Sequence, residues 1–397
     1  MAGAYSHHPS ALASHRADPA FIAFALSVLI PLQYGYSLFF NIIPTAIRLP
    51  MAGSFLIAYI FIAMSGLVIR PGNWRLPFAI AIACPMITFS FAYAVDPYTF
   101  DVRIAFRESL PFIAAIAILS FPRSIPYKTL RVLAAASLII AAIQAFGGEP
   151  YVRGDIVRLH PFTGGPDGLH SSSFFIFGNM IIIDQLRRHQ LLPQKLAWAL
   201  FFLGLVLIIL FKVRTTGLML VIYFAMMVLI KYGKYPTIKS TIFFFIYFSV
   251  LFALAYLLLS GIDVGVLGSG RLDAYWERFN IMMHRDVMTF VMGSGPGSDF
   301  FTSALWSTGG KDSHNDFIHT IIERGIVGVF GLICFLLALF IRLSGTNRAL
   351  LYAVICGSLV SNAFFSRPAN TIYIILAMSI PLAQHMASQA KHRARRK

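Results

Sequence analysis

The chain has 397 residues, 58% of them hydrophobic and only 12% charged, against about 25% charged residues in soluble globular domains. That balance excludes an ordinary soluble globule and predicts an all-α, polytopic integral membrane protein. The net charge of +16 needs no nucleic acid to explain it, because most of the excess Lys and Arg falls on segments that would face one side of a bilayer.

Apolar stretches long enough to cross a hydrocarbon layer of about 30 Å lie near 20–40, 51–69, 76–95, 104–121, 130–147, 171–186, 196–211, 215–230, 241–260, 316–341, 348–365 and 370–387. Twelve transmembrane helices are therefore expected, with the largest external loop between the ninth and tenth. Cytoplasmic loops retain positive charge, which puts both termini inside: that side then holds 19 basic residues against Asp18 and Asp184, and the other holds 13 basic and 14 acidic residues. Residues 1–19 form an expected cytoplasmic tail, 20–387 one membrane domain and 388–397 a basic tail suited to anionic headgroups. The first apolar stretch is too long for a cleavable signal peptide and reads as an anchor. Cys84, Cys334 and Cys356 all lie within apolar stretches, form no metal-ligand spacing, and read as packing residues.

Two outward connections, 147–170 and 261–313, carry most of the polar side chains. The smaller holds Arg153, Asp155, Arg158, His160, Asp167 and His170 among Gly and Pro, the composition of a loop. In the larger, Leu272, Tyr275, Trp276, Phe279, Met282, Met283 and Phe290 recur at helical spacing, predicting an amphipathic helix over 271–290. Arg271, Asp273, Glu277, Arg278, His284 and Arg285 would then face water or headgroups. Gly293-Ser294-Gly295-Pro296-Gly297 ends that helix as a turn.

Ser313-His314-Asn315 stands where this loop enters the tenth stretch. Ser313-x-x-Asp316 fits a capping box, which would make His314 the first helical residue and leave its imidazole neutral at the positive end of the helix dipole. Asp316, His319 and Glu323 follow at i, i+3 and i+7, a polar stripe on an apolar helix, and ionisable groups within a span are costly enough to be functional by default. Arg214 occupies a tight connection and Arg271 opens the amphipathic helix; two guanidinium forks converging on a diphosphate could stabilise a leaving group. Arg103 and Arg107, one turn apart, are further basic candidates. No Asp-x-Asp pair, Walker A loop or dinucleotide-binding glycine pattern occurs.

Arg214 in its Arg-Thr connection, Gly270-Arg271-Leu272 with Trp276, Gly293-x-Gly295, and Ser313-His314-Asn315-Asp316-Phe317 with Glu323-x-Gly325-x-x-Gly328 together resemble the O-antigen ligase and O-antigen polymerase superfamily, which includes bacterial exopolysaccharide polymerases. The resemblance covers about 210–335 by motif. It implies an inverting, metal-independent glycosyl transfer on the periplasmic face of the bacterial inner membrane, from an undecaprenyl-diphosphate-linked glycan to an acceptor hydroxyl, with no cofactor. His314 would then be the catalytic base or acceptor-orienting residue, and Arg214 and Arg271 would hold the diphosphate. Asn315, Asp316, His319, Glu323, Arg158 and His170 are supporting candidates. Where the family's smaller loop carries a Pro-Asn pair, this chain has Pro166-Asp167.

The implied partners are the lipid-linked donor, an acceptor glycan or lipid A core, the bilayer, a chain-length regulator and a flippase, and no nucleic acid. Polymerase and ligase differ in the acceptor, and the modest external loop without a basic cluster favours polymerisation of exopolysaccharide, capsule or O-antigen repeats. A lipid-linked oligosaccharide flippase or secondary transporter would also fit many spans, but such proteins place ionisable groups near the bilayer midplane in repeated halves.

Overall fold

The computed structural model describes residues 18–69, 73–98, 100–153, 156–163, 168–231, 271–300, 313, 315–343, 346–361 and 368–395. Its helices are α1 (Pro19–Leu38), α2 (Thr45–Ile69), α3 (Arg75–Val95), α4 (Val102–Ser120), α5 (Tyr127–Gly147), α6 (Leu169–Arg188), α7 (Gln194–Phe211), α8 (Arg214–Lys231), α9 (Arg271–Met283), α10 (Val287–Met292), α11 (Asp316–Arg342), α12 (Thr346–Val360) and α13 (Pro368–Arg395). The smaller loop supplies an antiparallel hairpin, β1 (Tyr151–Arg153) and β2 (Ile156–Arg158), with Val152 opposite Val157.

Local chemistry sets several of the helix starts. The Asp18 carboxylate accepts the Ala20 N–H at 2.9 Å ahead of Pro19, and Asp101 accepts the Arg103 and Ile104 N–H groups at 2.8 and 3.3 Å. Both satisfy donors that the first turn leaves without helical partners. Lys212, in the left-handed region at φ 54°, ends α7 and reverses the chain into α8.

In the packed interior α11 runs along α3, α4 lies between α2 and α13, α6 packs on α13 and α7, and α8 packs on α12. Aromatic rings meet edge-on at several places, among them two on α11 and α13. Phe335 of α11 touches Phe78 and Phe112, at 5.5 and 4.7 Å between centroids. Tyr373 of α13 meets Tyr34 and Phe175, each at 4.7 Å. Such pairs add about 0.5–1.5 kcal/mol each beyond area burial. The polar tips are also satisfied: Tyr34 donates to the Asn179 side chain at 2.9 Å and Tyr373 to Ser37 at 2.7 Å.

Six helices among the described residues are long and apolar enough to cross a membrane, not the expected twelve: Pro19–Leu38, Thr45–Gly66, Arg75–Val95, Tyr127–Gly147, Gln194–Phe211 and Asp316–Arg342. The stretch near 104–121 forms α4, whose Arg103, Arg107 and Glu108 put three charges in one turn and a half. The stretch near 171–186 forms α6, with Asp184, Arg187 and Arg188 at its end. The stretches near 215–230, 348–365 and 370–387 give the shorter apolar helices Arg214–Ile230, Asn347–Val360 and Asn370–Ala383. The ninth stretch, 241–260, lies outside the described residues.

With that count falls the expected placement as a multi-pass inner-membrane protein with both termini cytoplasmic and a periplasmic site. Its ionisable side chains were expected to line an outer boundary, and many are instead paired with one another in the packed interior. The outward faces of the first helices are nonetheless apolar, with Phe21, Phe24, Phe61 and Met86 each more than half exposed. An all-α fold with six candidate spans and this apolar exterior fits a protein at least partly associated with a membrane.

Candidate functional site

The start of α11 is capped by Asn315, not by Ser313. The Asn315 side-chain oxygen accepts the Phe317 and Ile318 N–H groups at 2.9 and 3.1 Å, and its amide nitrogen donates to the Leu359 carbonyl at 2.6 Å. The predicted capping box is therefore displaced by two residues, and Asp316 opens the helix. Ser313 is drawn away by a better acceptor: its N–H and hydroxyl both donate to one Asp299 carboxylate oxygen, at 2.8 and 2.7 Å.

Asp299 is the hub of a buried network. Its other oxygen accepts Arg278 Nε at 2.9 Å, with both side chains fully buried. The oxygen that takes Ser313 also meets His319 Nδ1 at 3.1 Å. His319 Nε2 lies 2.8 Å from Glu108 Oε1 and 3.3 Å from Glu323 Oε2. Arg324 closes the chain by bonding the second Glu108 oxygen, its guanidinium 4.9 Å from the Phe89 ring centroid. Burial alone would raise the Asp299 carboxyl. The hydrogen bond and charge of His319, the Ser313 N–H and the Arg278 charge outweigh it and hold Asp299 below its ordinary value.

Both ring nitrogens of His319 face carboxylate oxygens, so each nitrogen–oxygen line needs a proton. Three carboxylates, Glu108, Asp299 and Glu323, stand against the two guanidiniums of Arg278 and Arg324, and one proton on His319 balances the cluster. Glu108, His319 and Glu323 offer ligand atoms all within 4.8 Å of one another, a set able to hold a metal ion. A shared proton on Nε2 meets the same electrostatic need. Ser313 is no hydrolase nucleophile: its hydroxyl bonds the carboxylate directly, whereas a triad requires the imidazole between them.

Glu323 joins this network to the glycine turn through a break in α11. Gly325 has φ 60° and ψ −161°, a conformation that only glycine adopts readily, and it interrupts the helical ladder. Carbonyls ahead of the break are taken up from across the gap: Ile322 accepts Ser294 N–H at 3.0 Å and Arg285 Nη1 at 2.8 Å, and Glu323 accepts Gly295 N–H at 2.9 Å. The Glu323 carboxylate also accepts the Gly297 N–H at 2.8 Å. Gly293, at φ 84°, lies so close that an added Cβ would overlap the Glu323 and Arg324 backbone.

The predicted amphipathic helix divides into α9 and α10, because Asp286 caps a new start by accepting Thr289 N–H at 3.0 Å. One charged side chain departs from the expected face. Trp276, Phe279 and Met283 face outward at 65%, 45% and 62% exposure, while Arg278, expected to face water, is completely buried. A guanidinium is drawn inside when a buried carboxylate waits for it.

The sequence-predicted site residues separate into three groups. Asn315, Asp316, His319 and Glu323 are buried together at the start of α11. Arg214 is the exposed first residue of α8, Arg158 lies on β2, and His170 is in the first turn of α6, its ring 6.5 Å from that of Phe174. His314 and the Arg271 side chain, the latter at the first position of α9, lie outside the described residues. Glu108 and Asp299 are not among the residues predicted from the sequence. Glu108 carried a signal, a carboxylate inside an otherwise apolar stretch; Asp299, after a glycine turn, carried none. No family model and no curated protein matches the chain.

Proposed function

We propose that this protein is a glycosyltransferase that moves a glycan from a polyprenyl diphosphate onto an acceptor hydroxyl, in the polymerisation of exopolysaccharide, capsule or O-antigen repeats. The observation that supports this most is the interlock of motif pieces far apart in sequence: the Gly293–Gly297 turn is hydrogen-bonded into the Glu323-x-Gly325 break. Ser313 and Asn315 are each anchored by their own side chains, so the residues on both sides of His314 have fixed positions.

In the proposed reaction the acceptor oxygen forms a bond to the anomeric carbon as that carbon's bond to the diphosphate breaks. His314 takes the acceptor's proton, the diphosphate leaves with the electron pair, and Arg214 and Arg271 hold its growing charge. The buried network serves as the rigid support and stands outside the bond changes. Full-length protein supplied with a lipid-linked repeat unit should build a ladder of products. His314→Ala and Arg271→Ala should each lower the rate by about 10²–10³ with unchanged thermal unfolding. Wild-type rates from both variants at equal protein would remove the proposal; transfer only to a lipid A core acceptor would make the enzyme a ligase.

A further inference from the structure

A cavity of about 640 Å³ opens between α1, α2 and α4, on the side of α4 away from the ionic network. Its α4 wall carries Arg103, Arg107 and Leu110, at i, i+4 and i+7, while Glu108 points to His319. Most of the lining is apolar, with Phe55 and Leu56 from α2, and its described lining residues include no carboxylate. Three guanidiniums share this space. Arg48 is held by its Nε on the Ile43 carbonyl at 2.9 Å and lies 4.5 Å over the Phe40 ring, which leaves its terminal nitrogens without hydrogen bonds among the described residues. Arg107 makes no ion pair among the described residues, and Arg103 has only Asp101 at 3.7 Å. At the opening, Leu49, Val102 and Phe106 are about half exposed, at 52%, 49% and 48%.

An apolar chamber with exposed hydrocarbon at its entrance and unneutralised guanidiniums in its wall matches a molecule that carries both features. We propose that this cavity binds one anionic phospholipid, the tail against α2 and the phosphate oxygens between Arg48 and Arg107. Guanidinium forks pair with phosphate bidentately, and water excluded by the tail strengthens that pairing. A neutral lipid would leave the arginine charges without a partner of opposite sign, and in a zwitterionic one the ammonium group beside the phosphate opposes the approach of two guanidiniums.

Gly53 of α2 provides a selective test. It lines the cavity, and a Cβ built there meets nothing within 4 Å. Gly53→Leu therefore fills tail space without touching an arginine, and it replaces a poor helix former by a good one. Full-length protein in neutral detergent would be titrated separately with dioleoylphosphatidylglycerol, dioleoylphosphatidylcholine and inorganic phosphate, counting bound molecules by native mass spectrometry. One phosphatidylglycerol should be retained per chain, with little phosphatidylcholine. Arg48→Gln and Arg107→Gln should each weaken retention roughly tenfold, and Gly53→Leu should abolish it at unchanged melting temperature. Should Gly53→Leu fail to fold, the two arginine variants, both at the cavity surface, decide alone. Equal retention of the two lipids, or wild-type retention by the variants, would overturn the proposal, and phosphate binding alone with the same arginine dependence would overturn its lipid source. Binding is read without turnover, so failure here and failure of glycosyl transfer are separate results.

Discussion

Asp299→Asn is the sharpest perturbation of the buried network, because it preserves shape while removing the charge at the hub. The native carboxylate takes Arg278 on one oxygen, and both Ser313 donors with His319 on the other. An amide offers one acceptor and one donor, so whichever way it turns, a donor is left facing its NH2 group. If the NH2 faces Arg278, a fully buried guanidinium loses its 2.9 Å bond to the carboxylate; if it faces Ser313, two hydrogen bonds and the His319 contact go. Breaking a buried ion pair from one side typically costs about 3–5 kcal/mol. Equilibrium denaturation of the full-length protein in one detergent, wild type against variant, should show a loss of that size. Arg278→Met in the Asp299→Asn background should cost less than the sum of the single changes, since the second change removes the charge that the first deprives of its carboxylate. A loss below about 1 kcal/mol for Asp299→Asn, where the buried-pair value is about 3–5, would mean that the network is not a structural support.

Three further outcomes follow from this and two other buried contacts. Because Asp299 titrates below its ordinary value, its contribution is complete above that value and is lost as pH falls through the folded one. Wild-type stability should thus decline in acid more steeply than that of Asp299→Asn, and parallel acid limbs would contradict this. Gly325→Ala forces φ 60° on a residue with a Cβ and drives it into the Val291 carbonyl; the backbone strain alone is about 1–3 kcal/mol, and an unchanged melting temperature would refute the interlock. Asp184→Asn should cost about 1–3 kcal/mol, since that carboxylate takes Arg187 and Arg188, both at 2.7 Å, and Tyr223 at 2.8 Å. Denaturation midpoints test it, and no shift would show that these contacts are solvated equivalents.

What the sequence made legible was periodic or local. The stripe of Asp316, His319 and Glu323 was visible because the helical repeat puts those positions on one face, and the glycine turn at 293–297 because its composition forbids a helix. The pairing partners were not visible. His319 finds Glu108 211 residues away and Asp299 20 residues away, and no pattern in the sequence encodes such separations. Patterning pointed the wrong way at Arg278, since helix periodicity assigns a charge to the wet face unless a buried counter-charge is known. It also overcounted membrane spans. Hydropathy windows accept a stretch by its average, whereas α4 places Arg103, Arg107 and Glu108 within a turn and a half. The Ser313 box failed for a similar reason: a local cap was outcompeted by a distant carboxylate.

Asp299 and Ser313 are tied directly to each other although 13 residues separate them. The contact holds Ser313, just ahead of α11, through its backbone and its side chain together. Lengthening a segment closed in this way is cheap, about 0.6 kcal/mol for each doubling. A change of chain length between these two positions therefore leaves the start of α11 held by the same carboxylate.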